Sequence, residues 1–474
     1  RRDQPLRATA VQRLRLPREG GVRLAGRGPG REVRLHRARR PLPPRLGAAG
    51  RPARHGGARL GAAHVAAQPG VPRIGGVGGA RVVPAATPPL VRRAPRPRWS
   101  LPGAGTTPWR EADWVLLAAV ALLGVIGAFT VYSATRTRLE RLGIDEYYYV
   151  QRQVVYLVIV TGVLALVMWV GHDAIRERGL WWYGLAGVLL VFVLVSGAVT
   201  RGARLAFDLG AFSVQPAEFM KFAVLVLVAA YAADSFSARI DYHQFTVSLW
   251  LLVLPVALIL LQPDLGSATV LAAGVLGVLL VAGARRRYFL GYIALAALTA
   301  ALTVVGGVAN DYQLGRFRAW FNQDSTAPEL QRIVLQVRFA KRAVSSGGIL
   351  GKGYLDGPLT NGAYVPVQFS DFPFSAIAEQ FGMVGGIVVI GLFATILWRL
   401  WSIAEAARQP FDRLFVVGVF TMLLWQVFQN LGMTMGIMPV SGLPLPFVSY
   451  GGSHLVGSAL LVGMCESIHM RRKS

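Results

Sequence analysis

The sequence predicts an all-α membrane protein that crosses the bilayer about ten times, with one large loop between helices 7 and 8. Hydrophobic residues make up 53% of the 474-residue chain, and its mean hydropathy is +0.45. Beyond residue 108 the chain contains repeated apolar runs, each of roughly 20 residues. This is the length at which a helix crosses the hydrocarbon core. Together these observations indicate a polytopic membrane protein.

Residues 1–108 form a tail of different composition. Its first 100 residues carry 23 Arg, no Lys and three acidic residues, so most of the chain's formal charge of +26 lies there. Because the tail is rich in Arg, Gly, Pro and Ala without apolar periodicity, we expect disorder. It is either an arm for anionic lipid or nucleic acid or a non-native extension. We favour the extension, since the chain begins with Arg1 rather than Met, and expect no nucleic-acid partner.

The remaining residues, 109–474, contain the ten predicted spans. They are 112–133, 150–170, 180–198, 216–233, 246–262, 266–283, 288–308, 375–398, 412–435 and 453–469. The lone Cys465 falls in the last span, so the chain forms no internal disulfide.

Basic residues in the short loops orient these spans. One set falls on a single side and comprises Arg110, Arg176, Arg178, Arg239, Arg285 to Arg287, Arg399, Arg408, Arg413 and Arg471 to Lys473. Lys and Arg accumulate in cytoplasmic loops. We therefore expect this side, with both termini, to be cytoplasmic.

The opposite side carries basic residues against that bias. The loop of about 309–374 contains Arg316, Arg318, Arg332, Arg338, Lys341, Arg342 and Lys352, and a shorter loop adds Arg201 and Arg204. Any one of them can simply pair with an acidic residue of the same loop. As a set they indicate an anionic ligand, because Arg and Lys bind phosphate well.

Polar groups at the span ends allow structural interpretations as well. Glu218 and Lys221 share one helix face and can form a purely structural ion pair. Asp264 precedes a span and is best read as its N-cap. The glycine-rich segment Gly347–Gly353 departs from a nucleotide P-loop at both defining positions, although its backbone amides can still meet a phosphate.

Asp371 is the most informative acidic residue. It has no Lys or Arg within ten residues, and Phe369, Phe372 and Phe374 surround it. An ionisable group beside a bilayer is costly and is read as functional, and an apolar setting strengthens a carboxylate as a base. Helix capping is the alternative, because a span begins near Ser375, and spacing alone does not decide between the two.

Six motifs, taken in chain order, resemble the SEDS family (shape, elongation, division and sporulation). The longest runs from Asn430 to Ser453 and reads Asn-Leu-Gly-Met-Thr-Met-Gly-Ile-Met-Pro-Val-Ser-Gly-Leu-Pro-Leu-Pro-Phe-Val-Ser-Tyr-Gly-Gly-Ser. The others are Gly202-Ala-Arg204, Gln215-Pro-Ala-Glu218 with Lys221, Gln262-Pro-Asp264-Leu-Gly, Gly347–Gly353, and Asp371-Phe with Glu379 and Gly382. The residues of the longest motif are closer to the rod-shape branch, RodA, than to the division branch, FtsW. The resemblance covers about Trp109 to Arg472.

The resemblance implies a bacterial cytoplasmic-membrane enzyme of ten helices. Members of this family polymerise lipid II into glycan strands on the outer face, beside a class B penicillin-binding protein and the elongation machinery. Asp371 falls on the family's catalytic aspartate and is expected to act as general base. Phe369 and Ser370 before it, and Ala217, depart from the family's usual residues.

The remaining site residues follow from the charge of the leaving undecaprenyl pyrophosphate. We expect Arg204, Lys221 and Lys352 to stabilise it, together with Arg201 and helix amides at Ser453. A divalent cation, Mg or Mn, is the other candidate, and we expect no nucleotide, haem or flavin. Glu218 and Glu379 are expected to orient their neighbours, and Asp264 is the weakest candidate. A lipid II flippase or another carrier and a non-enzymatic scaffold for a cell-wall synthase are the alternatives.

Overall fold

The computed structural model describes residues 108–200, 203–208, 213–234, 240–293 and 311–472. The tail to residue 107, Arg201 and most of the seventh predicted span lie outside these ranges. The described chain is nearly all helical, which confirms the predicted class of helical membrane protein.

Helices follow one another with short connections along most of the chain. They are α1 (Trp114–Arg141), α2 (Tyr148–Val170), α3 (His172–Glu177), α4 (Gly179–Ser196), α5 (Pro216–Ala233), α6 (Tyr242–Leu261), α7 (Leu265–Val281), α8 (described over 286–293), α9 (Asp311–Phe321), α10 (Pro328–Ser346), α11 (Pro358–Asn361), α12 (Gln368–Asp371), α13 (Pro373–Ala406), α14 (Pro410–Thr434) and α15 (Gly452–Met470).

Seven of the described helices are long and apolar enough to cross a membrane, namely α1, α2, α4, α5, α6, α13 and α14. The shorter apolar α7 and the helix α15 coincide with two further predicted spans. The seventh predicted span lies mostly outside the described residues, so the total of ten stays a prediction.

The connection between α4 and α5 is a small sheet, which the all-α prediction missed. Strands β1 (Ala198–Thr200), β2 (Ala203–Asp208) and β3 (Ser213–Val214) pair antiparallel in that order. Three strands this short leave only a weak alternating pattern, and pairing between strands, which is not a local property, stabilises them.

Helices α5 and α14 lie at the centre of the bundle. Their apolar segments are 72% and 67% buried, whereas that of α4 is only 22% buried and faces outward. Both central helices carry polar residues at one end, Glu218 and Lys221 on α5 and Asn430 on α14. The fold therefore surrounds these polar groups with protein, where they can be paired.

The opposite end of the bundle collects basic residues that the sequence analysis placed on one side. Arg399 pairs with Asp113 at 2.6 Å, Arg176 lies 3.9 Å from Asp234, and Arg471 donates to the Trp169 carbonyl at 3.1 Å. We call this the basic end and the other, which holds Asp371, the site end.

Candidate active site

Asp371 is the last residue of the short helix α12, directly before α13. The N-cap position of α13 is Phe372, so the helix-capping alternative is not realised. Ser370 Oγ donates a hydrogen bond to Asp371 Oδ1 at 2.7 Å. The side chain is partly exposed, whereas the residues that follow it are buried. The carboxylate is therefore oriented by its neighbour and remains accessible.

The loop between α14 and α15, residues 435–451, lies against Asp371. Asn430 Nδ2 donates to the backbone carbonyls of both Asp371 (3.0 Å) and Leu443 (2.7 Å), which joins α12 to this loop. A β-carbon on Gly442 would lie 3.9 Å from Asp371 Oδ2 and 3.8 Å from Arg316 Nη2. An arginine distant in sequence thus shares the surroundings of Asp371, whose neighbourhood the sequence analysis expected to be apolar.

A buried polar network supports α12. Glu379 is fully buried and accepts hydrogen bonds from the Leu359 and Thr360 amides, each at 2.8 Å, and from Thr360 Oγ1 at 2.6 Å. Gln368 on α12 donates to Thr360 Oγ1 at 3.2 Å and to Ser375 Oγ at 3.0 Å. Glu379 therefore connects to α12 through two side chains, in keeping with the orienting role expected for it.

The glycine-rich segment Gly347–Gly353 packs directly on α13. The Lys352 amide donates to the Glu379 carbonyl and the Gly353 amide to the Gln380 carbonyl, each at 3.0 Å. A β-carbon on Gly347 would collide with the Ala378 carbonyl. The glycines thus permit close backbone contact, and these two amides are already bonded. The amides of Lys352 and Gly353, which the sequence left open to contact with a phosphate, therefore bond to α13 instead.

Phe369, one of the departures from the family pattern, lies in an aromatic cluster. Its ring centroid is 4.9 Å from that of Tyr149 and 5.6 Å from that of Tyr450, and its carbonyl accepts the Tyr450 amide at 3.0 Å. Beside it is a cavity of about 240 Å³, whose lining includes Arg138 and Gln368. Phe369 therefore anchors α12 and borders this cavity.

A second polar cluster lies where α5, α7 and α15 begin. Lys221 Nζ is 2.7 Å from Glu218 Oε2, and both side chains are only 3% exposed. His454 Nδ1 lies 3.4 Å from the same oxygen. The ion pair expected from the sequence is thus formed and buried, and most of the charge of Lys221 is neutralised within it.

Asp264 links this cluster to the Asp371 region. Its Oδ1 accepts the Ser267 amide at 2.9 Å, so it caps α7 as expected, and its Oδ2 accepts Gln215 Nε2 at 3.1 Å. Burial raises the pKa of the Asp264 carboxyl. One residue beyond the start of α7, a β-carbon on Gly266 would lie 3.2 Å from the Ser441 carbonyl. The loop that borders Asp371 therefore also borders α7.

The other expected site residues are dispersed. The Ser453 hydroxyl donates to the Ser213 carbonyl at 2.5 Å and accepts the Gln215 amide at 3.0 Å, which ties α15 to the start of α5. Lys352 is exposed. Arg204 pairs with Val199 in the sheet, but its side chain, like Arg201, lies outside the described part.

Three residues near the site were not selected as site residues from the sequence. Arg316 was visible only as one of many loop arginines, and Asn430 only as the first residue of the longest motif. His454 directly follows that motif. Their positions beside Asp371 or Glu218 depend on contacts across the fold, and charge or motif membership was the only signal that pointed to them.

We expect Glu218→Gln to destabilise the protein strongly. The substitution leaves the Lys221 charge buried without its counter-ion, which costs about 3–5 kcal/mol of unfolding free energy. Thermal unfolding in detergent measures the effect. The double variant Glu218→Gln/Lys221→Met removes both charges and should lose less than the single variant. Equal stability of the wild type and the single variant would contradict a buried ionised pair.

Comparison with known proteins decides the family. The model of the FtsW/RodA/SpoVE family, described as Cell cycle protein, matches residues 113–474. The chain belongs to this family. The SEDS resemblance drawn from the motifs is thereby confirmed, and the match spans all helices described above.

Named relatives and solved structures agree with this assignment. The probable peptidoglycan glycosyltransferase FtsW of Thiomicrospira cyclica is 35% identical over 75% of this chain and 91% of its own length. The peptidoglycan glycosyltransferase MrdB of Escherichia coli is 34% identical over 61% of this chain and 77% of its own. RodA of Thermus thermophilus superposes with a TM-score of 0.57 at 29% identity, covering 78% of this chain and 100% of RodA.

One further solved chain comes from a peptidoglycan synthase complex in which polymerisation and crosslinking are coordinated. It matches with a TM-score of 0.65 at 30% identity and covers 77% of this chain and 99% of its own length. The SEDS protein is thus similar along its membrane part to a component of that complex.

Proposed function

We propose that this SEDS protein is a peptidoglycan glycosyltransferase that polymerises lipid II into glycan strands during cell elongation. The observation that carries the proposal is the accessible carboxylate of Asp371, which Ser370 orients and which shares Gly442 as a neighbour with Arg316. A base with a cation nearby suits a reaction that deprotonates a hydroxyl and releases a pyrophosphate. The named glycosyltransferase relatives supply the substrate class.

The proposed reaction is a single displacement. Asp371 takes the proton from the 4-hydroxyl of the acceptor GlcNAc while that oxygen forms a bond to the anomeric carbon of the donor MurNAc. The bond from this carbon to the pyrophosphate oxygen breaks, and its electron pair leaves with undecaprenyl pyrophosphate, so the anomeric centre inverts. The leaving group departs as an anion, so one base suffices and no general acid is required.

Placement in the cell is part of the proposal. By the positive-inside rule the basic end faces the cytoplasm with both termini, which puts Asp371 on the outer face of the cytoplasmic membrane. A class B penicillin-binding protein is the proposed partner, supported by the likeness to a chain of a polymerising and crosslinking complex.

The assignment to the elongation branch rests on the residues of the motif around Gly442 and on the likeness to RodA and MrdB. FtsW relatives of similar identity make division the competing assignment. Complementation of cells depleted of the elongation or the division polymerase separates the two.

We also propose a divalent cation, Mg²⁺ or Mn²⁺, that enters with the substrate. Among the described residues, no three His, Cys, Asp or Glu side chains form a metal-binding group. Asp371 supplies one carboxylate, which fits an ion held mainly by substrate phosphates rather than by a protein cage. When bound, such an ion neutralises charge on the departing pyrophosphate.

Chelation should therefore slow polymerisation without removing a resident metal. We expect EDTA to lower the polymerisation rate by at least about tenfold and Mg²⁺ or Mn²⁺ to restore it. Calorimetry with the lipid-free protein should show no saturable Mn²⁺ binding at micromolar concentration. Tight binding without lipid would contradict a substrate-borne ion, and an unchanged rate in EDTA would remove the cation from the proposal.

The experiment that tests the function uses the purified full chain with its transpeptidase partner and lipid II. Glycan strands should form, and labelled lipid II reconstituted in vesicles should stay in its leaflet. If lipid II exchanges between leaflets and no strands form, the protein is a carrier. If neither occurs while the transpeptidase partner gains crosslinking activity, the scaffold assignment holds.

A further inference from the structure

Arg316 is held in place by the loop that borders Asp371. It lies on α9, in the large connection before α13, and its Nη1 donates a hydrogen bond to the Ser441 carbonyl at 3.1 Å. This contact joins residues 125 positions apart and is part-buried. The guanidinium is therefore oriented by the fold, unlike an arginine on a solvated loop.

Gly442 lies beside both Arg316 and Asp371. Its φ of +72° is a conformation that favours glycine. A β-carbon there would lie 3.8 Å from Arg316 Nη2 and 3.9 Å from Asp371 Oδ2, within van der Waals contact of both. The glycine thus keeps a space beside both charged groups that any other residue would enter.

Lys221 and Lys352, two of the cations selected from the sequence, are less suited to meet a phosphate near Asp371. Lys221 is buried against Glu218 at 2.7 Å, so its charge is neutralised. Lys352 is exposed and its backbone is bound to α13. The side chains of Arg201 and Arg204 lie outside the described part. Among described residues, Arg316 is the cation whose position beside Asp371 is defined.

We infer that Arg316, which shares Gly442 as a neighbour with Asp371, binds the pyrophosphate of the lipid-linked donor. The inference rests on the proposed function and names the residue that binds its leaving group. A guanidinium offers a planar fork of donors that matches phosphate oxygens in two simultaneous hydrogen bonds. With the base and the cation both beside this glycine, a donor whose pyrophosphate is bound by Arg316 has its anomeric carbon near Asp371.

The direct test is the preference of the full-length protein for a diphosphate lipid. The measurement is the dissociation constant of undecaprenyl pyrophosphate and of undecaprenyl phosphate for protein in nanodiscs. Arg316→Gln should weaken binding of the diphosphate lipid by about 10- to 100-fold, and that of the monophosphate lipid less. Arg316→Lys keeps the charge but not the fork and should recover part of the affinity.

Arg318→Gln is the matched control, since Arg318 is an exposed arginine on the same helix. It should bind both lipids as the wild type does. Thermal midpoints of all variants show whether loss of the Ser441 bond has affected folding, and Arg316→Lys keeps the test informative if Arg316→Gln is unstable. Unchanged preference for the diphosphate lipid in folded Arg316→Gln would overturn the inference.

The inference and the proposed function fail separately. If the wild type binds the diphosphate lipid through Arg316 but never polymerises lipid II, the proposed function fails and the binding assignment holds. If Arg316→Gln polymerises lipid II at the wild-type rate and releases pyrophosphate lipid normally, the binding assignment fails and the function holds.

Discussion

Asp371→Asn is expected to abolish lipid II polymerisation while leaving the protein folded and able to bind lipid II. The amide has the same shape, and Ser370 Oγ can still donate to its oxygen, so the local hydrogen bond at 2.7 Å survives. What is lost is the ability to accept a proton. Removal of a general base lowers a rate by about 10²- to 10⁴-fold, which in a strand-forming assay reads as no product.

Asp356→Asn provides the matched control. Asp356 is an exposed acid in the same large connection, and its loss should not change the rate. Rate measurements with purified lipid II, together with binding of labelled lipid II to both variants, make the comparison. Polymerisation by Asp371→Asn within twofold of the wild type would remove Asp371 from the role of base.

Gly382→Ala is expected to have the largest effect on folding. Gly382 interrupts α13 with φ of 64° and ψ of −156°, a region of the backbone map open essentially to glycine alone. A β-carbon there would collide with the Gly351 amide and lie 2.5 Å from the Ile349 carbonyl. Strain and displaced packing together should cost about 2–4 kcal/mol of unfolding free energy.

The effect should be visible as a lower thermal midpoint and loss of monodisperse protein in detergent. Gly391→Ala on the same helix is the control, because a β-carbon there meets nothing within 4 Å and alanine favours helix over glycine. It should be neutral or slightly stabilising. If Gly382→Ala were as stable as Gly391→Ala, the glycine-rich segment would not depend on the break in α13.

Sequence reasoning predicted the helices better than the small sheet and the site. The predicted span 216–233, for example, coincides with helix α5 (Pro216–Ala233). The length of an apolar run is a local property that can be read directly from the sequence. The strands near Arg204, of three, six and two residues, were missed because such short strands are stabilised by partners across the sheet. The capping role of Asp264 could be predicted, since a cap involves residues only three apart.

The site shows the same division. Asp371 was identified from its position beside a span and from the motif order, but its neighbours could not be. Asn430 is 59 residues away along the chain and Arg316 is 55 residues away. The fold brings Asn430 to the Asp371 carbonyl and brings Arg316 to Gly442, which Asp371 also borders. The sequence left the backbone amides of the segment at 347–353 open to contact with a phosphate, but this segment packs on α13. The glycines did not distinguish the two possibilities, because close contact between backbones requires glycine as much as phosphate binding does.

By itself, the sequence determined that this protein has many membrane-spanning helices, where seven of them lie, which loops carry its positive charge and which family it resembles. These properties depend on runs of neighbouring residues and on residue identity. Only the tertiary structure decided that Lys221 pairs with Glu218, that Glu379 supports α12, and that Arg316 and Asp371 both border Gly442. Those relations join distant segments, and burial and packing select them from the many pairings that charge alone permits.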